Sequence, residues 1–207
     1  MFMKIYTVTV DNNSSYHPRI NDQNLIEISP FPQLHWVGYS KHPSGTTREV
    51  WSARGVGVHC DHGPAIVIRH PSGHVAEQCW YHCGKLHRDE APARIVKLPN
   101  SDTTLTEEWH RNGELHRPDA PALVERDPDT GAVVQEVWAR RGKYHRIGQP
   151  AITEFDPKTG QIINQEWYAG GIRHRNGGPA VSRRESDGTM VERHFQKGKE
   201  VGGVPAR

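Results

Sequence analysis

Trp51, Trp80, Trp109, Trp138 and Trp167 follow one another at intervals of 29 residues. The same step carries His87-Arg88 to His116-Arg117, His145-Arg146 and His174-Arg175. It also carries Pro92-Ala93 to Pro121-Ala122, Pro150-Ala151 and Pro179-Ala180. A fixed period of this size marks a repeat architecture. Each copy is one supersecondary unit that cannot bury its apolar face alone, so neighbours must stack.

The unit reads as a β-hairpin. One strand leads to the Trp, as in Val133-Val134-Gln135-Glu136-Val137-Trp138. A tight turn follows at Gly84, Gly113, Gly142 or Gly171, then His-Arg, a short polar loop and Pro-Ala. A second strand leaves Pro-Ala, as in Ala122-Leu123-Val124-Glu125-Arg126, and a turn such as Asp127-Pro128-Asp129-Thr130-Gly131 returns the chain. That turn suits a type I geometry with a left-handed glycine. Apolar residues alternate with period 2 on both arms, and Pro and Gly recur too often for helices. Of the 207 residues 34% are hydrophobic, and mean hydropathy is −0.76. About 45–50% apolar is usual for a globular domain. A thin core fits a stack in which each unit packs only on its neighbours, and six Trp argue against disorder.

The expected fold is therefore all-β: an elongated, solenoid-like stack of 29-residue hairpin units over residues 49–207. Five to six units fit, the last degenerate. It has His194-Phe195 where Trp and its successor stand elsewhere, and Val201-Gly202 for His-Arg. The first unit is also irregular, with one extra residue between Trp51 and His59 and with Cys60 in the place of Arg. Residues 1–48 lack the repeat and read as a β-rich cap or appended module. Its expected strands lie at Lys4–Val10, Leu25–Ile28 and Trp36–Tyr39, the last followed by the turn His42-Pro43-Ser44-Gly45.

On Trp80, Gly84, His87, Arg88, Pro92, Ala93 and their three successors, the chain resembles the W-x3-G-x2-H-R-x3-P-A repeat proteins. These are MORN-like β-hairpin repeats of uncharacterised bacterial, phage and large-virus proteins. The resemblance covers about three quarters of the chain. It implies a binding or scaffolding surface, and allows a phage or bacterial host-interaction protein or an anti-defence inhibitor.

The His-Arg pairs admit two readings. Arg88, Arg117, Arg146 and Arg175 could form a cation ladder, each presenting a planar fork to phosphate, for a nucleotide or nucleic acid. Alternatively the ladder is architectural. Recurrence favours this, because a catalytic site needs only one copy of its residues. The Arg would then pair with the Glu before each Trp (Glu77, Glu107/Glu108, Glu136, Glu166) or cap the carbonyls of the Pro-Ala loop. The residue after each Trp varies: Tyr81, His110, Ala139 and Tyr168. If Trp faces the core, strict alternation turns its successor outward. Tyr81, His110 and Tyr168 then belong to a binding surface, alongside the four Arg.

All three Cys and six of the fourteen His lie between residues 59 and 87. Cys60, Cys79 and Cys83 with His59 and His62 are candidate zinc ligands, although their spacing matches no known zinc module. No catalytic residue is assigned, for G-x-S-x-G, H-E-x-x-H and phosphate-loop patterns are absent. A metal-dependent, His-based hydrolase is the weaker alternative function. Net charge is only +2, too balanced for coating nucleic acid by charge alone. It is uneven along the chain, with Lys and Arg in excess from Ile172 and acids in excess from Ser101 to Arg140. No apolar run approaches the ~18 residues of a membrane span. The start does not read as a secretory signal, and three Cys make no disulfide framework. The expectation is a non-enzymatic cytoplasmic protein without a required cofactor, binding another macromolecule and most readily a protein, with no membrane partner.

Overall fold

The computed structural model describes residues 35–53 and 55–202. The expected strands Lys4–Val10 and Leu25–Ile28 lie outside the described residues. The third is present as His35–Lys41, and a turn follows it at Pro43–Ser44. Among the described residues there are strands and turns and no helix. They form two compact units, the first ending at Thr103 and the second beginning at Thr104.

In the first unit the long strands run in the order His35–Lys41, Thr47–Ala53, Ile66–Arg69, Val75–Cys79, Arg94–Lys97. Each pairs antiparallel with the next. In the second unit the order is Thr104–Glu108, Leu123–Arg126, Val133–Val137, Ile152–Phe155, Ile162–Glu166, Val181–Arg184, Met190–Gln196, Lys199–Val201. These too are antiparallel. In each unit the sheet is open and strands follow chain order, as expected of stacked hairpins that meet only their neighbours. The register shifts by one residue at Ile68/Arg69, Glu125/Arg126 and Glu154/Phe155. Such bulges increase the local twist.

The strand breaks at each of Trp80, Trp109, Trp138 and Trp167. There the chain leaves the main sheet for a separate two-stranded hairpin: Tyr81–His82 with Lys85–Leu86, His110–Arg111 with Glu114–Leu115, Ala139–Arg140 with Lys143–Tyr144, Tyr168–Ala169 with Ile172–Arg173. Both central residues of every turn have positive φ, for example Asn112 at 54° and Gly113 at 85°, or Arg141 at 51° and Gly142 at 70°. This is the type I′ geometry, whose twist matches the strands it joins. Gly198 (φ 79°) is needed for a second reason, because a Cβ there would lie 2.9 Å from Ile172 Cγ2 of the preceding hairpin.

The core is as thin as the composition implies. Ala65, Ala93, Ala122, Ala151 and Ala180 have no exposed surface. Each carbonyl accepts the amide of its unit's Trp at 2.7–2.8 Å, so alanine is the side chain that fits where backbone meets backbone. Trp167 packs with Ala180 and Phe195 in an apolar cluster of the second unit, with Val181 against it. Phe195 thus takes up a core place in the unit that lacks Trp.

At the opposite end of the strands, the returning turns are built by Asp and Thr. Asp127 Oδ1 accepts the amides of Asp129 and Thr130 and the Thr130 hydroxyl at 3.1, 2.8 and 2.9 Å. Asp156 does the same with Lys158 and Thr159. Gly131 and Gly160 close the turns at φ 72° and 70°, as expected from their sequence. The Thr130 amide and hydroxyl hold the Asp127 carboxyl below its ordinary pKa, and the Thr159 hydroxyl and amide do so for Asp156. A folded pKa below the unfolded one contributes stability at higher pH. That contribution is lost as pH falls from the ordinary Asp value, about 3.9, through the depressed folded value. Urea unfolding should therefore show a midpoint that drops more steeply with acid below about pH 4 in the native chain than in Asp127→Asn/Asp156→Asn. The amide side chain keeps the acceptor oxygen and does not titrate. Equal pH slopes in the two proteins would contradict the assignment.

Candidate functional site

The repeated residues are used inside the scaffold. The guanidinium carbons of Arg88, Arg117, Arg146 and Arg175 sit 3.9, 3.7, 3.8 and 3.8 Å from the ring centroids of Trp80, Trp109, Trp138 and Trp167. These distances place a flat cation over an aromatic face. Arg88, Arg117 and Arg175 also donate Nη1 to the carbonyls of Pro92, Pro121 and Pro179 at 3.1–3.2 Å. Burial lowers the pKa of Arg88 and Arg146 from the usual value. Of the two architectural roles expected for these Arg, Arg88, Arg117 and Arg175 take the carbonyl cap, while Glu136 acts on Arg146 and offsets part of the lowering by burial. The other Glu residues pair elsewhere: Glu77 with Arg94 at 2.6 Å, Glu166 with Arg173 at 2.8 Å, Glu107 with Arg126 at 3.6 Å and Glu108 with His110 at 2.9 Å. The reason is reach. The His-Arg segment comes back over its own Trp after the hairpin, while the Glu stays in the main sheet.

The repeated His join one unit to the next. The His87, His116, His145 and His174 amides each donate to the carbonyl of their own Trp. The imidazole Nδ1 of His116, His145 and His174 accepts the turn amide of the following hairpin, from Arg141, Gly170 and Lys197, at 3.1–3.3 Å. His59 does the same with Cys83 at 3.2 Å. The turn glycine adds a second link: Gly84, Gly142, Gly171 and Gly198 donate to Val58, Leu115, Tyr144 and Arg173.

The residues after Trp are less exposed than an open surface position would be. Tyr81, His110 and Tyr168 are half-buried and Ala139 is buried. The break at Trp cancels strict alternation. Tyr168 donates its hydroxyl to Glu166 at 2.8 Å and accepts Arg173 Nε at 3.0 Å. Burial alone would raise Glu166, but the hydrogen bonds from Tyr168 and Arg173 hold its pKa down. Burial, with Glu166 beside it, pushes the Tyr168 hydroxyl up, and burial also raises Tyr81.

What remains variable and exposed is the row of hairpin tips. In the second unit this edge carries Arg111, Arg140, Arg141, Lys143, Arg173, Lys197 and Lys199 against Glu114 and Glu200. Glu200 is held by Arg193 at 2.6 Å. Arg140, Arg141, Lys143, Lys197 and Lys199 make no ion pair among the described residues. Arg140 donates to the Pro118 carbonyl at 3.2 Å. On the same hairpins Tyr144 and Ile172 are 40% and 50% exposed, and Ile147 in the loop after Arg146 is 80% exposed. The turns at the other end of the strands carry Asp127, Asp129, Asp156, Glu185 and Asp187 with only Lys158. The charges of this unit are thus separated across its strands, cations at the hairpin tips and acids at the opposite turns.

The first unit has a different tip. Cys60, Asp61, His62, Trp80, Tyr81, His82, His87 and Arg88 are among the residues lining a cleft of about 340 Å³. His59, His82 and Cys83 offer ligand atoms within 4.8 Å of one another. The rings of His59 and His82 are 4.9 Å apart, and His82 and His87 5.8 Å. Of the expected zinc candidates, His59 and Cys83 come together, while Cys60 and His62 line the adjoining cleft. Cys79 is buried with its thiol 3.4 Å from Glu77 Oε1, outside the group. His82 was not among the candidates. Aligning the units exposes it, since Arg111, Arg140 and Ala169 hold that place.

No protein-family model and no curated protein matches the chain.

Proposed function

We propose that this chain is a non-enzymatic binding scaffold whose partner is a protein with an acidic surface, received on the hairpin-tip edge of the second unit. The observation that carries the reading is the division of labour among residues. The repeated Trp, His, Arg, Pro and Ala are engaged with one another, and the unrepeated tips present Arg140, Arg141, Lys143 and Tyr144 to solvent. Arg and Tyr are enriched at protein interfaces and their hot spots, and a one-signed edge steers an oppositely charged partner. A host-interaction or anti-defence inhibitor, a role the repeat resemblance allows, is one form of this reading.

A second reading, nucleic-acid or nucleotide binding, draws on the same basic tips and no longer on the His-Arg ladder. The ladder's forks already face Trp and the Pro carbonyls. One variant tests both. Arg141→Glu/Lys143→Glu, whose side chains make no hydrogen bond or ion pair among the described residues, should leave the unfolding midpoint nearly unchanged. It should lose a host protein that the native chain retains, with association slowed about tenfold or more. Retention of that protein at native strength by the variant would overturn the reading. Tight oligonucleotide binding by the native chain, falling steeply with salt and abolished in the variant, would favour the second reading instead.

A further inference from the structure

We propose that His59, His82 and Cys83 form a zinc site that clips the first repeat to the hairpin of the next. The chemistry of the set comes first. Two imidazoles and a thiolate are ligands that zinc prefers, and three protein ligands leave a fourth position for water. Around one zinc, with bonds of about 2.0–2.3 Å, ligand atoms stand roughly 3.3–3.8 Å apart. The three atoms here already lie within 4.8 Å of one another. Closing the gap takes about 1 Å, and the side chains of His82 and Cys83 are exposed and can turn to do so.

The surroundings also fit. His59 is buried, which fixes its ring, and its Nε2 lies 3.0 Å from Asp61 Oδ1. A carboxylate on the far ring nitrogen is the usual device that orients a metal-bound imidazole. Nδ1 accepts the Cys83 amide at 3.2 Å. When that lone pair goes to the metal, the amide sits at an exposed turn tip where water can take over. The open cleft beside the cluster gives the ion a path in.

The place of the cluster in the repeat is the independent observation. At the equivalent joints of the second unit the trio becomes His116/Arg140/Arg141, His145/Ala169/Gly170 and His174/Gln196/Lys197, none of which can hold a metal. The joint with ligands is also the one whose first member carries Cys60 instead of Arg, so among the described residues no guanidinium stacks on Trp51 as on its counterparts. A metal clip would replace there what Arg supplies elsewhere. The inference is independent of the partner proposed above.

The test uses the full chain stripped with chelator, titrated with zinc and, in parallel, with cobalt(II). One zinc per chain is expected, with a rise in the thermal midpoint. Cobalt should give tetrahedral visible bands and a thiolate-to-cobalt charge-transfer band. Cys83→Asn and His82→Arg place at these positions the residues found in other hairpins, Asn112 and Arg111 or Arg140, so both variants should fold. Each should weaken zinc binding by more than the roughly 10–100-fold that loss of a supporting carboxylate costs, and Cys83→Asn should abolish the charge-transfer band. Cys79→Ala should keep both. No stoichiometric zinc binding by the native chain, or binding that survives Cys83→Asn and His82→Arg unchanged, would overturn the proposal.

Discussion

Replacing Arg117 and Arg175 together with alanine is expected to remove a large share of the chain's stability and lower its urea midpoint sharply. Each guanidinium lies over its Trp and donates to a Pro carbonyl four residues on. A partly buried cation–aromatic contact is worth about 0.5–2 kcal/mol, and a hydrogen bond from a charged group about 1.5–3 kcal/mol. The loss is then about 2–4 kcal/mol per site, against a total stability of roughly 5–15 kcal/mol for a domain. Lysine at the same positions should recover only part of it, because a compact ammonium lacks the flat fork that covers the ring and reaches the carbonyl. Urea unfolding followed by tryptophan fluorescence measures both. An alanine variant with a native midpoint would mean that these Arg are free for ligands, and the cation-ladder reading would return.

Trp167→Ala is the second large effect. Trp167 is 9% exposed and packs on Ala180 and Phe195 beneath Arg175. Removing so large a ring from a core otherwise lined by alanine leaves a cavity the backbone cannot close, at a cost of roughly 3–5 kcal/mol. It also strips the stacking surface from Arg175. Amide exchange should quicken first in Val181–Arg184 and Met190–Gln196, the strands next to the lost ring. Uniform protection across the second unit would show that the ring does not organise that end of the sheet.

The hairpins, their turns and the thin core were legible because they rest on local rules. Asp127-Pro128-Asp129-Thr130-Gly131 is a turn by its own chemistry, and Asn112-Gly113 is a type I′ pair by residue type. The break at each Trp was not legible. Alternation assumes one continuous strand, whereas the chain leaves the sheet there for a second small hairpin in which Tyr81 and Tyr168 are half-buried. The Pro-Ala carbonyl was legible as an Arg partner, but the Trp face was not, for a related reason. Sequence reading looks for an opposite charge, and Glu77 or Glu136 was in view. The fold brings Arg back over its own Trp and offers it a face and a carbonyl. His82 was overlooked because it belongs to no repeat position that stays constant. The candidate edge follows the same logic: its residues are visible only once the repeated ones are known to be engaged with one another.

The central claim is that repeated residues build this protein and unrepeated hairpin tips do its binding. Paired urea unfolding curves test it most directly, one for Arg117→Ala/Arg175→Ala and one for Arg141→Glu/Lys143→Glu. The account predicts that the first collapses by several kcal/mol while the second, changing more charge, stays within about 0.5 kcal/mol of the native chain, as surface substitutions usually do. A stable first variant and an unfolded second one would contradict it.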